Sequence, residues 1–343
     1  MGKESSPSAR EVELDALRGI AAVAVVAYHY TTLYGQQIGH VGGLSLDVAF
    51  GNYGVHLFFL ISGFVIFMTL ERTRTAMDFV VSRFSRLFPA YWAAMAITAS
   101  VIYTVGLSGQ RLHAHDLLLN VTMVQDFLGA EELDGSYWTL EVELFFYAQM
   151  LVWFMLGLLG RIRWIIGVWL LLAALEGGFE KFGWHFSYVL RELLILRFIP
   201  FFALGILFYR LRTHPAERRG DLAMLALALL AIGIGQKPVL LLTAGICCAI
   251  FALFVRGRLR FLNLPLFAFF GGISYTLYLV HQSVGFVVIY RLEHAGMPAW
   301  AAVLLSVALA LVLATLLHRV AEKPAMDWIR MEWRSHRTRT QPA

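Results

Sequence analysis

Charge is what this 343-residue chain has least of: Asp, Glu, Lys and Arg supply 15% of it, against 59% hydrophobic residues. A soluble domain of this length could not keep so much apolar surface out of water, so the chain reads as an all-α, polytopic membrane protein. Cysteine is almost missing. Only Cys247 and Cys248 occur, adjacent and inside an apolar run, which excludes a disulfide framework and a zinc site, and no other metal site is expected. Nor is there a concentrated basic patch. The net charge of +5 is spread between apolar stretches, which argues against nucleic acid as a partner and for a topological role of the basic residues. Internal repeats, low-complexity tracts and soluble appendages are lacking too, so one domain over residues 1–343 is expected, with a polar tail at 1–13 and a basic one at 325–343. The first apolar stretch has no small-residue cleavage site after it and reads as a retained span rather than a signal peptide.

What is there in quantity is apolar runs. Ten approach or reach bilayer length, at about 14–33, 54–70, 87–107, 137–159, 162–178, 192–209, 221–235, 239–255, 266–290 and 299–319. Arg72, Arg74, Arg83 and Arg86 follow the second run, Arg161 and Arg163 the fourth, Arg210, Arg212, Arg218 and Arg219 the sixth, and Arg256, Arg258 and Arg260 the eighth. The intervening connections are poor in such residues, so ten spans in one bundle with both termini cytoplasmic are expected. Lys3 and Arg10 at one end and Lys323, Arg330, Arg334, Arg337 and Arg339 at the other agree with that placement. The longest outer loop, 108–136, gathers Asp116, Asp126, Glu131, Glu132 and Asp134 and is long enough to fold over a site. Asn120-Val-Thr122 within it matches a glycosylation acceptor.

Ionisable groups inside a span cost several kcal/mol on insertion scales, about 2.5–3.5 each at the helix centre, and each is therefore a functional candidate. Arg18 and His29 stand eleven residues apart in the first run. At about 100° per residue they project from one face, separated by about 16.5 Å along the axis. Taken alone, Arg18 reads as a snorkelling anchor paired with Asp15. In "GSYWTLEVELFFY", residues 135–147, Glu141 and Glu143 lie on different faces, so at most one enters a common site. Glu143 falls about 9 Å below the outer end of its helix, at a depth similar to that of His29. A carboxylate that orients an imidazole is what a general base needs to take a proton from a hydroxyl. Arg83 and Arg86 in "SRFSRLFPAYW" stand at i, i+3 and could clamp phosphate oxygens, although arginine is common in any inner loop. In "GISYTLYLVHQ", residues 272–282, Ser274, Tyr278 and His281 share one stripe, with His281 a second candidate acid or base; Tyr275 and Tyr278 read more readily as packing residues. Arg197 is a further charge inside the sixth run, and Glu322 closes the tenth.

The ordered set "LDALRGIAAVAVVAYH", "GVHLFFLISGFVI", "RFSR", "WTLEVELFFY", "ISYTLYLVH" and "EKP" resembles the acyltransferase 3 family of integral membrane O-acyltransferases, in particular its exopolysaccharide-acetylating members. The resemblance covers nearly the whole chain. It implies that His29 is catalytic with Glu143 as its carboxylate rather than Glu141, and that Arg18 is the basic partner. It implies that Arg83 and Arg86 serve the acyl donor, and that Ser274, Tyr278 and His281 belong with the donor- and substrate-binding residues. The implied co-substrate is acyl-CoA, expected to be acetyl-CoA, with no bound cofactor. The acceptor is expected to be a cell-surface glycan, an exopolysaccharide or its lipid-linked oligosaccharide precursor. The implied location is the cell inner membrane, in contact with membrane lipid and compatible with a homo-oligomer. A small hydrophobic acceptor such as a macrolide is the rival within the enzyme class. A secondary transporter is the rival outside it, but matched halves and paired broken spans are not evident.

Overall fold

The computed structural model describes residues 9–107 and 109–340. Lys3 lies outside the described residues, and so do the side chains of Arg10 and Arg339. Helices dominate and no strand occurs among the described residues: α1 (Ala9–Tyr28), α2 (Gly54–Arg72), α3 (Ala76–Val105), α4 (Trp138–Met155), α5 (Ile162–Glu180), α6 (Ile199–Thr213), α7 (Arg218–Gly235), α8 (Pro238–Val255), α9 (Pro265–Val280), α10 (Gln282–His294), α11 (Ala299–Leu317) and α12 (Lys323–Thr340). Each of the ten apolar runs holds a helix. Among the described residues, six helical stretches are long and apolar enough to cross a membrane, seven if the bent pair α9 and α10 is one span. The chain is thus a multi-pass membrane protein, and the remaining runs differ for visible reasons. Helix α4 carries Glu141 and Glu143, α6 is 15 residues long, and α7 opens with Arg218, Arg219 and Asp221.

Four local expectations change. Helix α3 begins at Ala76 rather than near 87, so Arg83 and Arg86, expected at the mouth of this helix, lie within its first turns. Arg197 precedes α6 in a turn, its guanidinium 5.8 Å from the Phe198 ring centroid. The run 266–290 is not one helix: it breaks at His281 with a bend of 72°. The C-terminal tail is helical through Thr340, and from Ala9 onward the N-terminal tail is helical as well.

The chain divides into two compact units, each discontinuous in sequence. The first comprises 1–18, 55–76 and 139–264; the second comprises 19–54, 77–138 and 265–343. In the first, Gly63 of α2 abuts the Phe202 backbone of α6, and Gly205 of α6 abuts the Leu60 backbone of α2. Absent side chains on both helices permit this approach, as small residues do in membrane bundles. Phe146 and Phe202 stack beside it, ring centroids 4.1 Å apart. Buried Arg210 is matched by Asp221 at 2.9 Å and by Glu217, which offsets the desolvation of its guanidinium. In the second unit α11 packs against both α9 and α10. Thr276 of α9 ties to α11 by donating to the Ala314 carbonyl at 2.9 Å.

Candidate active site: a histidine pair at a broken helix

The site forms in the second unit where two irregular helices meet. Helix α1 passes at His29 into a π-helical stretch, His29–Leu33. Such stretches recur at functional sites because the widened turn re-aims the side chains that follow. Across from it, the α9–α10 break leaves backbone groups that an unbroken helix would satisfy itself. Inside a membrane those groups must find protein partners. The Leu279 carbonyl accepts from the Tyr137 hydroxyl at 3.3 Å. The His281 carbonyl accepts from the Gly285 amide within α10 at 2.9 Å and from the Tyr30 hydroxyl at 2.7 Å, and the Tyr278 hydroxyl ties the break to the loop by donating to the Ser136 carbonyl at 3.2 Å. Asp134 completes the set. Its carboxylate accepts from the Ser283 amide at 2.8 Å, in the first turn of α10, and from the amide and hydroxyl of Ser136 at 3.0 and 2.6 Å. A fully buried carboxylate at that position is favoured by the helix dipole and by charge-assisted bonds.

The break brings His281 against His29. Nε2 of His281 lies 2.9 Å from Nδ1 of His29, which also lies 3.0 Å from the Val25 carbonyl. Nδ1 of His281 lies 2.8 Å from the Tyr278 carbonyl. A carbonyl can only accept, so the hydrogen-bond network assigns the hydrogens. His281 carries its hydrogen on Nδ1, and its Nε2 is a lone pair. Nδ1 of His29 must then donate, shared between Val25 and His281. The remaining lone pair of the couple is on Nε2 of His29, the tautomer that a general base requires. His29 keeps 8% exposure and His281 none, so any exposure of the pair belongs to His29.

The other expected residues fall as follows. Tyr278 borders the pair, its ring centroid 5.5 Å from that of His281. Ser274 is buried and donates to the Gly271 carbonyl at 2.8 Å, a bond within its own helix. Arg86 pairs with buried Glu322, whose second oxygen lies 2.7 Å from Nδ1 of His318, and its guanidinium sits 5.7 Å from the Tyr275 ring centroid. Arg83 bonds the Ser82 hydroxyl at 3.0 Å. In the first unit, Arg18 pairs with Asp15 at 3.1 Å. Glu143 there accepts from the Ser62 hydroxyl at 2.8 Å and from the Tyr147 hydroxyl.

Several contributors are invisible to sequence reasoning. Asp134 was one carboxylate in an acidic loop; the D-G-S turn around it signals a capping side chain but not the helix it caps. Gly285 is required by the close approach of Tyr30, whose hydroxyl would lie 2.2 Å from a Cβ added there. His40 and Glu293 form a buried pair at 2.6 Å, and His40 also bonds the Tyr30 carbonyl at 3.1 Å. Asn120 is fully buried. Its amide donates to the Asp116 and Glu131 carbonyls at 2.8 Å each and accepts from the Leu133 amide at 3.0 Å. It organises the loop and is not presented as a glycosylation acceptor.

Comparison with known proteins gives an independent reading. The family described as "Acyltransferase domain", acyltransferase 3, matches residues 11–319. The exopolysaccharide production protein ExoZ of Rhizobium meliloti is 26% identical over 246 residues, covering 67% of this chain and 75% of the relative. Acyltransferase MdmB of Streptomyces mycarofaciens is 25% identical over 352 residues, covering 91% of each. Nodulation protein 10 of Rhizobium leguminosarum bv. viciae is 30% identical over 122 residues, 30% of this chain. The chain spans only 33% of that relative. No solved structure matches.

Proposed function

We propose, for a chain that belongs to the acyltransferase 3 family, that it transfers an acyl group, expected to be acetyl, from acyl-CoA to a hydroxyl of a cell-surface glycan or its lipid-linked precursor. The observation that carries the chemistry is the histidine pair, because it leaves Nε2 of His29 as a base inside a membrane helix. In this reading, Nε2 takes the proton of the acceptor hydroxyl as its oxygen attacks the thioester carbonyl. The carbon–sulfur bond breaks, and the departing CoA thiolate takes from the imidazolium the proton that the acceptor hydroxyl gave up. His281 accepts from Nδ1 throughout, and that bond strengthens as His29 becomes charged. Arg18 is retained in the proposal as a basic group on the helix that leads into His29, and Glu143, held by Ser62 and Tyr147, is retained as a candidate catalytic carboxylate.

Donor entry from the cytoplasmic side past Arg83 and Arg86 is part of the same reading, as is placement in the inner membrane. The printed name of the Rhizobium meliloti relative favours a glycan acceptor; a small hydrophobic acceptor is the alternative. A covalent acyl-histidine intermediate is the alternative chemistry, and trapping labelled acyl-enzyme distinguishes it from direct transfer. The test is CoA release in proteoliposomes. Release that requires both acetyl-CoA and glycan acceptor supports the proposal, whereas solute uptake without CoA release supports a transporter.

A further inference from the structure

The C-terminal helix α12 lies beyond the residues matched by the family, which end at 319, yet it runs along the polar start of α3. Arg337 of α12 pairs with Asp78 of α3 at 2.8 Å, and the Trp333 indole donates to the same carboxylate at 2.9 Å. Between these contacts and Glu322, Arg330 reaches back to α3. Its Nε lies 3.2 Å from the Ser85 hydroxyl, and its Nη2 lies 3.4 Å from the Ser82 carbonyl. Ser82 also holds Arg83. Arg83, Arg86 and Arg334 all act on Arg330 with the same sign of charge, and Asp327 with the opposite sign. Like charges gathered at this density repel one another, and a multiply charged anion relieves that repulsion. Guanidiniums pinned by serine hydroxyls and a backbone carbonyl are also preorganised for phosphate oxygens.

We infer that Arg330, with Arg334, completes one anion site with Arg83 and Arg86, and that this site holds the phosphorylated nucleotide end of the acyl donor. The inference rests on the acyl-CoA reading above and extends it by residues outside the family's span. Two carboxylates already compete for this region, since Glu322 takes Arg86 and Asp78 takes Arg337.

The experiment compares acetyl-CoA with S-acetyl-N-acetylcysteamine, a thioester without phosphates, as donors for the full-length protein. Arg330→Gln should raise KM for acetyl-CoA about tenfold, the loss of one charge-assisted contact, and change turnover of the phosphate-free donor by less than about twofold. Arg334 is exposed, so Arg334→Gln gives a variant whose folding is not at stake; it should show the same donor selectivity with a smaller rise. Equal effects on both donors, or none on either, from Arg330→Gln and Arg334→Gln overturn the inference. If Arg83→Gln still weakens acetyl-CoA selectively, the acyltransferase reading survives that failure. A wild-type protein that uses neither donor overturns both.

Discussion

Removal of the His281 imidazole tests the histidine pair quantitatively. Nδ1–H of His29 is shared between the Val25 carbonyl at 3.0 Å and Nε2 of His281 at 2.9 Å. With His281→Leu the carbonyl still fixes the tautomer, so the base is not lost, only one of its two acceptors. A neutral hydrogen bond of this kind contributes about 0.5–1.5 kcal/mol and one to a charged group about 1.5–3 kcal/mol. Only the excess in the transition state, about 1–1.5 kcal/mol, enters kcat. At about 1.4 kcal/mol per decade, kcat should fall by roughly 5- to 12-fold. His281→Gln, whose side-chain oxygen can accept in place of Nε2, should retain more activity than His281→Leu. The assay is acceptor-dependent CoA release at saturating acetyl-CoA, with the double variant His29→Ala/His281→Leu alongside. Because the residues act as a unit, the double variant should be no slower than His29→Ala alone. An unchanged kcat in His281→Leu, or a double variant slowed by the product of the two single effects, would refute the reasoning.

Three further outcomes follow from the same geometry. Gly285→Ala places a methyl 2.2 Å from the Tyr30 hydroxyl, so thermal unfolding should show a loss of about 1–3 kcal/mol together with lowered kcat, since Tyr30 also holds the His281 carbonyl; an unshifted melting curve would contradict the packing described. Asn120→Asp puts a carboxylate oxygen against the Asp116 and Glu131 carbonyls in place of an amide donor, and should cost about 1–3 kcal/mol or more in the same measurement, whereas a neutral result would mean that the loop is not organised there. Asp134→Ala leaves the Ser283 amide without its buried acceptor; hydrogen exchange at the start of α10 should accelerate, and unchanged protection would dissociate Asp134 from the cap.

The positions of the helices were legible because hydrophobic length is a local property: each of the ten runs contains a helix. Their lengths and polarity were less so: Glu141 and Glu143 in α4, the 15 residues of α6 and the charged opening of α7 set these three helices apart from the longer, more apolar ones. His29 stood out because an imidazole in an apolar run needs a reason, and His281 because it closed a polar stripe. That the two meet was hidden. Their contact joins positions 252 residues apart and depends on a 72° break with no proline to announce it. The break is stabilised by hydroxyls and a carboxylate from Tyr30, Tyr137 and Asp134, none of them near it in sequence. Arg330 was equally unremarkable as one of several basic residues in a C-terminal stretch, and gains meaning only from the serines of α3 that it reaches.

The central claim, that Nε2 of His29 is the base of an acyl transfer, is tested most directly by CoA release from acetyl-CoA in proteoliposomes that carry purified wild-type or His29→Ala protein with glycan acceptor. The account predicts acceptor-dependent release by the wild type and a fall in kcat of about 10²–10⁴-fold in the variant, with the variant still folded. Release by His29→Ala at the wild-type rate would contradict it.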